Sequence, residues 1–321
     1  MLKSIPALAV ILLAPAAWGQ LAVSARSGMV NHLEGQVTLA GDPLKLRFGQ
    51  FPEVAPGMTL ATQDGRAEVL LTPGVFLRLD DHSSLKMNSN KLTDSQVELT
   101  SGAALVEVQE LLKDNSVAVS VGTAKVDLQK PGLYRFDAEP ARLRVYDGKA
   151  QVEAGSGFVT VTKGRESALG GVPATFKFNL KDRDDLYTWT MYRAQLVAQA
   201  NIVSARTATA KGFQMGTSSW AYSPYWGLYT FLPRTGIGYS PFGMFVYSPY
   251  TVWQYYAPRQ GYNPGYSAAS SGGGNYGGFG SSNASVGSSA SSVSSGAMVR
   301  GGGGGSAPAA AVSAPSGARG R

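Results

Sequence analysis

The sequence predicts a mainly β protein, with a strand-rich body followed by one long α-helix and a disordered Gly/Ser/Ala-rich tail. Three observations carry this. Every second residue is apolar or β-branched in Val97-Glu98-Leu99, Val117-Ala118-Val119-Ser120-Val121, Leu143-Arg144-Val145-Tyr146 and Val159-Thr160-Val161-Thr162, the period of half-buried strands. Turn signals separate such runs at Gln63-Asp64-Gly65, Thr72-Pro73-Gly74, Lys130-Pro131-Gly132 and Tyr146-Asp147-Gly148-Lys149. Beyond residue 178 the alternation gives way, first to a helical period and then to rings, Pro, Gly and Ser. Strands recurring at intervals of about 8–12 residues fit a sandwich, a barrel or a solenoid, and local spacing does not choose among them.

Residues 1–19 have the layout of a secretory signal: Lys3, the apolar run Ile5 to Ala17, then Ala17-Trp18-Gly19 before Gln20. The run is too short for about 30 Å of hydrocarbon and is broken by Pro6 and Pro15. Cleavage is expected after Gly19 or Ala17, with export to the periplasm or cell surface. No later stretch is apolar enough for a spanning helix, so no membrane-spanning segment is expected in the mature chain.

The β body is expected over 20–178. A helix is expected over 179–206, with Asp182, Asp184 and Asp185 in its first turn and Arg206 near its end, matching the helix dipole. Leu186, Trp189, Arg193, Leu196, Ala200 and Val203 recur at spacings of three and four, a stripe that could dock on the β body. A Tyr/Trp/Pro-rich segment follows over 207–266. Phe213 to Phe279 holds 19 of the 32 aromatic residues, and a unit repeats in it as Tyr222-Ser223-Pro224-Tyr225, Tyr239-Ser240-Pro241-Phe242 and Tyr247-Ser248-Pro249-Tyr250. Proline fixes φ and lacks a donor, so each unit is expected as a turn or extended piece. Residues 267–321 are mostly Ser, Gly and Ala, too poor in apolar side chains to offset the entropy of ordering.

Composition narrows the function. With 321 residues the chain has room for one large or two small domains. It has no Cys and only His32 and His82, which excludes a disulfide scaffold, thiolate metal sites and a Cys nucleophile. The formal charge of +7 lies in the C-terminal part: residues 1–185 hold 20 cations and 21 anions, and eight cations but no anion follow Asp185. Those eight are too scattered to track a phosphate backbone, so nucleic acid is not an expected partner.

No catalytic, metal or cofactor set stands out. Asp80-Asp81-His82 is the densest group of possible ligands, but neighbours on a strand point to opposite faces, and a turn after Val75 to Leu79 explains it better. His32 reads as a surface or half-buried residue, and neither His sits in the context of a nucleophile's base. Glu107 and Glu110 read as solvated strand-end charges rather than a glycosidase pair. Gly272-Gly273-Gly274 and Gly301 to Gly305 lack the strand, Lys-Ser or Lys-Thr and helix of a phosphate loop.

Several β pieces in series resemble the FecR domain. They are Gly28-Met29-Val30 with Glu34-Gly35-Gln36-Val37-Thr38-Leu39, Gly57-Met58-Thr59-Leu60-Ala61-Thr62, Gly65-Arg66-Ala67-Glu68-Val69-Leu70-Leu71 and Val75-Phe76-Leu77-Arg78-Leu79. Ser83-Ser84-Leu85, Val97-Glu98-Leu99-Thr100-Ser101-Gly102 and a late hairpin at Val145-Tyr146-Asp147-Gly148-Lys149-Ala150-Gln151-Val152 continue the series. The resemblance covers roughly residues 28 to 170 and implies a FecR-like β-solenoid or sandwich-like domain. In the family's best-known members that domain is periplasmic and relays a signal from an outer-membrane receptor to a sigma factor. Their cytoplasmic anti-sigma segment and membrane helix are replaced here by the signal-like start, and Lys130-Pro131-Gly132-Leu133-Tyr134-Arg135-Phe136 departs from the family's Gly-Thr-x-Phe-x-Val step.

The expected function is a non-enzymatic, exported module for envelope protein interaction or signal sensing, with an envelope protein or polysaccharide as partner. Exposed Tyr and Trp suit such surfaces, so the candidate interaction residues are Trp220, Tyr222, Tyr225, Trp226, Tyr239, Phe242, Tyr247, Tyr250 and Trp253. The alternative is a surface carbohydrate-binding or matrix protein using the same aromatic segment. The same rings could also serve as ordinary packing on the β body or the helix.

Overall fold

The computed structural model describes residues 27–155, 157–210 and 218–256. The signal-like start and the low-complexity tail lie outside the described residues. In chain order the elements are β1 Met29–Leu39, β2 Asp42–Pro43, β3 Thr59–Leu70, β4 Val75–Leu79, β5 Ser84–Lys91, β6 Asp94–Ser101, β7 Ala103–Val108, β8 Ser116–Val121, β9 Ala124–Leu128 and β10 Gly132–Ala138. Then come β11 Ala141–Asp147, β12 Lys149–Ala154, β13 Gly157–Thr162, β14 Arg165–Ala168, β15 Thr175–Lys177, α1 Asp185–Ala210, β16 Ser219–Ser223, β17 Leu228–Leu232, β18 Ile237–Tyr239, β19 Phe245–Tyr247 and α2 Pro249–Tyr256.

The chain is mainly β, and β1 to β15 form one sheet. The long strand β3 is its fold line: β1 runs along one side of it, while on the other Thr59–Ala61 pair with β5 and Ala67–Leu70 with β4. From there one half continues through β5, β6, β8, β9, β12 and β13, and the other through β4, β7, β10, β11, β14 and β15. The chain shuttles between the halves, and β13 and β14 come back into contact at the far ends. The result is a nearly closed, flattened barrel. Its interior is filled by inward residues of both halves, among them Val69, Leu77, Val97, Val106, Val119, Val126, Phe136 and Val145. Each such side chain contributes roughly 1.5–3 kcal/mol by leaving water.

The Asp147-Gly148 step corrects the hairpin expectation. β11 pairs with β10 and β14, whereas β12 pairs with β9 and β13, so the two strands on either side of Gly148 lie in opposite halves. Gly148 is a crossover, with φ +99° and so little room that an added Cβ would stand 2.2 Å from Tyr134 Oη. Only glycine meets both demands.

The half built on β4, β7 and β10 is covered outside as well as inside. All five residues of β4 are buried: Val75, Leu77 and Leu79 face the interior, while Phe76 packs outward against Trp220, Phe231, Val197 and Ala200 of a C-terminal layer. That layer consists of α1, the hairpins β16–β17 and β18–β19, and α2.

α1 starts six residues later than 179. Asp184 accepts from the Tyr187 amide at 3.0 Å, the geometry of an N-cap, and this fixes the start at Asp185. Asn179 instead makes a turn, accepting from the Lys181 amide at 3.1 Å and bonding Asp182. The helix runs on to Ala210 rather than stopping at Arg206. Its buried face is Leu186, Trp189, Thr190, Arg193, Ala194, Val197, Ala198, Ala200, Asn201, Ser204, Ala205 and Ala208. The expected stripe followed the large residues Leu196 and Val203, and Val203 is exposed. Small residues take their place because the helix lies close on β17, where Thr230 Oγ1 reaches the Val197 carbonyl at 2.7 Å.

The three Tyr-Ser-Pro units differ in conformation but share a buried serine. Ser223 ends β16, Ser240 lies in the turn between β18 and β19, and Ser248 caps α2 by accepting from the Thr251 amide at 3.1 Å. The third unit thus opens a helix, contrary to the turn-or-extended expectation. Pro249 stands at the first helical position, where a missing N–H costs nothing.

Candidate interaction surface

Between the sheet and the C-terminal layer lies a buried network of charges. Glu68 of β3 and Arg78 of β4 are direct cross-strand partners, with Arg78 Nε donating to Glu68 Oε2 at 2.8 Å. Arg78 Nη1 also donates to Glu107 of β7 at 2.6 Å. From α1, Arg193 Nη2 donates to Glu68 Oε1 at 2.8 Å, and Asn31 of β1 reaches the same oxygen at 2.8 Å. From the aromatic segment, Ser240 Oγ donates to Glu107 Oε1 at 2.5 Å. Asn31 completes the tie by exchanging two hydrogen bonds with the backbone of Tyr229 in β17. Glu68, Arg78 and Glu107 have no exposed side-chain surface, so Glu107 is not the solvated strand-end charge expected from sequence. Burial alone would raise the Glu68 carboxyl, but Arg193 and Arg78 outweigh it and hold the group well below the ordinary carboxylate range. Two acids and two guanidiniums balance, which is what allows charge to stay buried here.

A second group ties the start of α1 to the sheet. Asp137 accepts from Arg135 at 2.8 Å, Arg144 at 3.0 Å and Arg142 at 3.1 Å, and Arg135 also bonds Asp184, the helix cap. Burial pushes Asp137 up, and Arg135 and Arg144 pull it further down. His32 is half-buried, bonded to Glu34 at 3.0 Å and stacked on Trp189, with burial and then Arg193 lowering its imidazole. Asp80 pairs with Arg66 at 2.9 Å, and His82 sits in the following turn with φ +46°. Glu110 meets Ser218 of the C-terminal layer. Apart from His32–Glu34 and Arg135–Asp137, which lie within single strands, these contacts join different chain segments.

The nine candidate aromatic residues do not form one surface. Trp220 is fully buried, with Phe76 at 5.0 Å and Phe231 at 6.1 Å between ring centroids, and belongs to the packing. Tyr222, Trp226, Phe242 and Tyr247 are half-buried; Tyr222 lies against Phe51 and Tyr229, and Phe242 against Tyr187. The exposed four fall into two places. Tyr225 stands at the β16–β17 turn. Tyr239, Tyr250 and Trp253 lie on β18 and α2, with Tyr250 and Trp253 stacked at 6.1 Å.

Around the second place the structure adds residues that the sequence reading passed over. Phe245 packs on Tyr239 at 5.1 Å, and Ile202, Ile237 and Tyr255 are also exposed. Ile202, Ile237, Tyr247, Thr251, Val252 and Tyr255 line a groove of about 540 Å³ between α1, the β18–β19 hairpin and α2. The signal was available for Tyr255 and Phe245, which belong to the same ring-rich stretch. Ile202 and Ile237 are ordinary apolar residues that only the tertiary fold brings together.

Residues 58–165 match the FecR protein family, a stretch that runs from the start of β3 to the first residue of β14. No curated protein matches the chain. Two solved structures of a proposed anti-sigma factor from Parabacteroides distasonis are similar at 15% and 16% identity, each with a TM-score of 0.33. They cover 42% and 41% of this chain, and the chain spans 63% and 62% of their length. β1, β2, β15 and the whole C-terminal layer lie outside the matched stretch, although β1 pairs with β3 along its length. The chain carries a FecR domain at residues 58–165, here with a C-terminal layer packed on the outer face of one sheet half.

Proposed function

We propose that this protein is a non-enzymatic, exported module that binds a protein of the cell envelope or senses a signal there, with the C-terminal layer as its docking surface. The observation that carries the reading is the concentration of exposed rings on β18, β19 and α2, namely the contacting pairs Tyr239–Phe245 and Tyr250–Trp253 together with Tyr255 at the groove. Large rings that stay in water after folding suit partner contact, because they bury much area with few rotatable bonds. The signal-like start supports an envelope setting, and the FecR resemblance supports a signalling role. The patch is anchored to the FecR domain through Ser240 and Arg193, so a partner on it would act on the sheet itself.

Photo-crosslinking residues placed at 239 and 253 in intact cells test this. The expected result is capture of one envelope protein, lost in Phe245→Ser. Recovery of the chain in the cytoplasm, or adducts that survive Phe245→Ser unchanged, sinks the proposal. Adducts to polysaccharide alone would favour the carbohydrate-binding alternative.

A further inference from the structure

The connection between β2 and β3 contains Leu44-Lys45-Leu46-Arg47-Phe48-Gly49-Gln50. Leu44 and Leu46 pack toward the barrel core, so Lys45 and Arg47 point outward. A turn closes at Arg47–Gln50, where the Gln50 amide donates to the Arg47 carbonyl at 2.9 Å. Gly49 takes φ +75°, the third-position conformation that glycine serves, and this leaves Phe48 at the apex with 80% of its surface exposed. A second apex lies beside it. At the β16–β17 turn the Gly227 amide donates to the Ser223 carbonyl at 2.8 Å, which projects Tyr225, 83% exposed, next to the half-buried Trp226. The two turns are neighbours: the Phe48 ring lies 6.5 Å from that of Tyr222 in β16, and a Cβ built on Gly227 would lie 3.7 Å from Phe48 Cε2. Among the described residues no ion pair engages Lys45 or Arg47. The flanking acids are Asp42 in β2 and Glu53, which Asn90 Nδ2 holds at 2.6 Å.

An exposed Phe and an exposed Tyr on neighbouring turns, a half-buried Trp beside the Tyr and two outward cations are the chemistry of a membrane–water interface, where rings sit at headgroup depth and cations meet anionic lipid. We propose that the paired apices bearing Phe48 and Tyr225, with Trp226, Lys45 and Arg47, dock on an anionic lipid surface. This surface is separate from the partner patch on β18, β19 and α2 and shares no residue with it. It would hold the FecR domain at a membrane while that patch stays open to a protein.

The test is flotation of the full chain with phosphatidylglycerol–phosphatidylethanolamine vesicles and with phosphatidylcholine vesicles. Binding to the anionic vesicles at low ionic strength is expected, weakened by added salt. Lys45→Glu and Arg47→Glu should each lower it about fivefold. Phe48→Ser with Tyr225→Ser should lower it about tenfold or more without changing the melting temperature, because both side chains stand in water. Brominated acyl chains should quench emission that Trp226→Phe removes. No binding of the wild-type chain at low salt overturns the proposal. So does binding that survives the Phe48 and Tyr225 substitutions, or that is lost instead in Tyr239→Ser with Trp253→Ser. Retention on purified cell-wall polysaccharide through Phe48 and Tyr225, without vesicle binding, assigns the apices to sugar and also overturns it.

Discussion

Arg193 of α1 and Glu68 of β3 are 125 residues apart in sequence and meet in a buried hydrogen-bonded ion pair at 2.8 Å. Glu68 is shared between this helix guanidinium and Arg78 on its own sheet, so one carboxylate joins the FecR domain to the C-terminal layer. The layer is therefore part of the folded body. Without it Glu68, Arg78, Glu107, Leu70 and Phe76 would face water on one side of the sheet.

Arg193→Ala leaves Glu68 buried with one guanidinium in place of two. Breaking a buried pair from one side costs about 3–5 kcal/mol, because the remaining charge loses its partner and not its burial. Chemical denaturation should show a loss of that order. Arg193→Lys should restore only part, since a lysine cannot reproduce the directed guanidinium contact. A loss below about 1 kcal/mol would mean that the helix contributes little to holding the layer.

Acid should loosen the same junction. Glu68 and Asp137 both have folded-state pKa values below their ordinary 4.5 and 3.8. A depressed carboxylate contributes stability that is fully present above its unfolded pKa and lost as pH falls toward its folded one. Stability should therefore decline below about pH 5 and keep declining through the acid range. Asp80, raised by burial, opposes this weakly over the same window. Glu68→Gln should be less stable at neutral pH and flatter with pH, and denaturation series at successive pH values would read both. An unchanged acid slope in that variant would assign the pH dependence elsewhere.

The β body was legible because alternation and Gly turns are local, and the positions of β6, β8, β11 and β13 follow from four short runs. The crossover at Gly148 was not, because Asp-Gly between two strands reads the same whether they pair with each other or with strands elsewhere. Glu107 was misread for a related reason. On a sheet with one face in water, an acid between Val106 and Val108 belongs outside, and only the covering layer makes that outside an interior. For Trp220 the sequence left packing and surface contact both open, and the fold places it in the packing. Composition marks a ring-rich segment but does not say which rings face inward: those of β16 and β17 are buried or half-buried, while Tyr225 in the turn between them is exposed.

The three unit serines should respond differently to alanine. Ser240 donates to buried Glu107, so Ser240→Ala should cost about 1–3 kcal/mol. Ser248 caps α2, and its loss should cost about 1 kcal/mol. The Ser223 hydroxyl is buried with no hydrogen-bond partner among the described residues, so Ser223→Ala should be neutral or stabilising. Thermal unfolding of the three variants checks the ranking. Equal losses would show that the repeated motif acts as a repeat and not through these separate contacts.

Trp220 and Trp253 should separate packing from recognition. Trp220→Ala empties a fully buried site and should cost about 3–5 kcal/mol. Trp253→Ala removes a ring that is 45% exposed and should cost less than about 1 kcal/mol while weakening partner capture. Loss of capture in Trp220→Ala alone would reflect unfolding, which circular dichroism would reveal.

Tyr134 and Gly148 form a pair whose coupling can be measured. The Tyr134 hydroxyl donates to the Lys130 carbonyl and accepts from the Lys149 amide at 3.0 Å, pinning the β9–β10 connection to the Gly148 crossover. Burial pushes its phenol up to about 12 from 10.0. A raised pKa contributes stability that is intact below about pH 10 and lost as pH climbs toward about 12. Burial also raises the Tyr146 and Tyr229 phenols, so ultraviolet titration of the folded protein should show a late-titrating group of phenols that loses one member in Tyr134→Phe. That variant strands the Lys149 N–H and should cost about 1–3 kcal/mol. Gly148→Ala adds a Cβ 2.2 Å from the hydroxyl oxygen at φ +99°, so it should cost more. In the Tyr134→Phe background the oxygen is gone, while the ring carbon at 2.8 Å and the Pro131 carbonyl at 2.9 Å remain. The double variant should therefore lose less than the sum of the two singles, yet more than Tyr134→Phe alone. Strict additivity would show that the crossover relaxes away from Tyr134 and that the pair is not the pin.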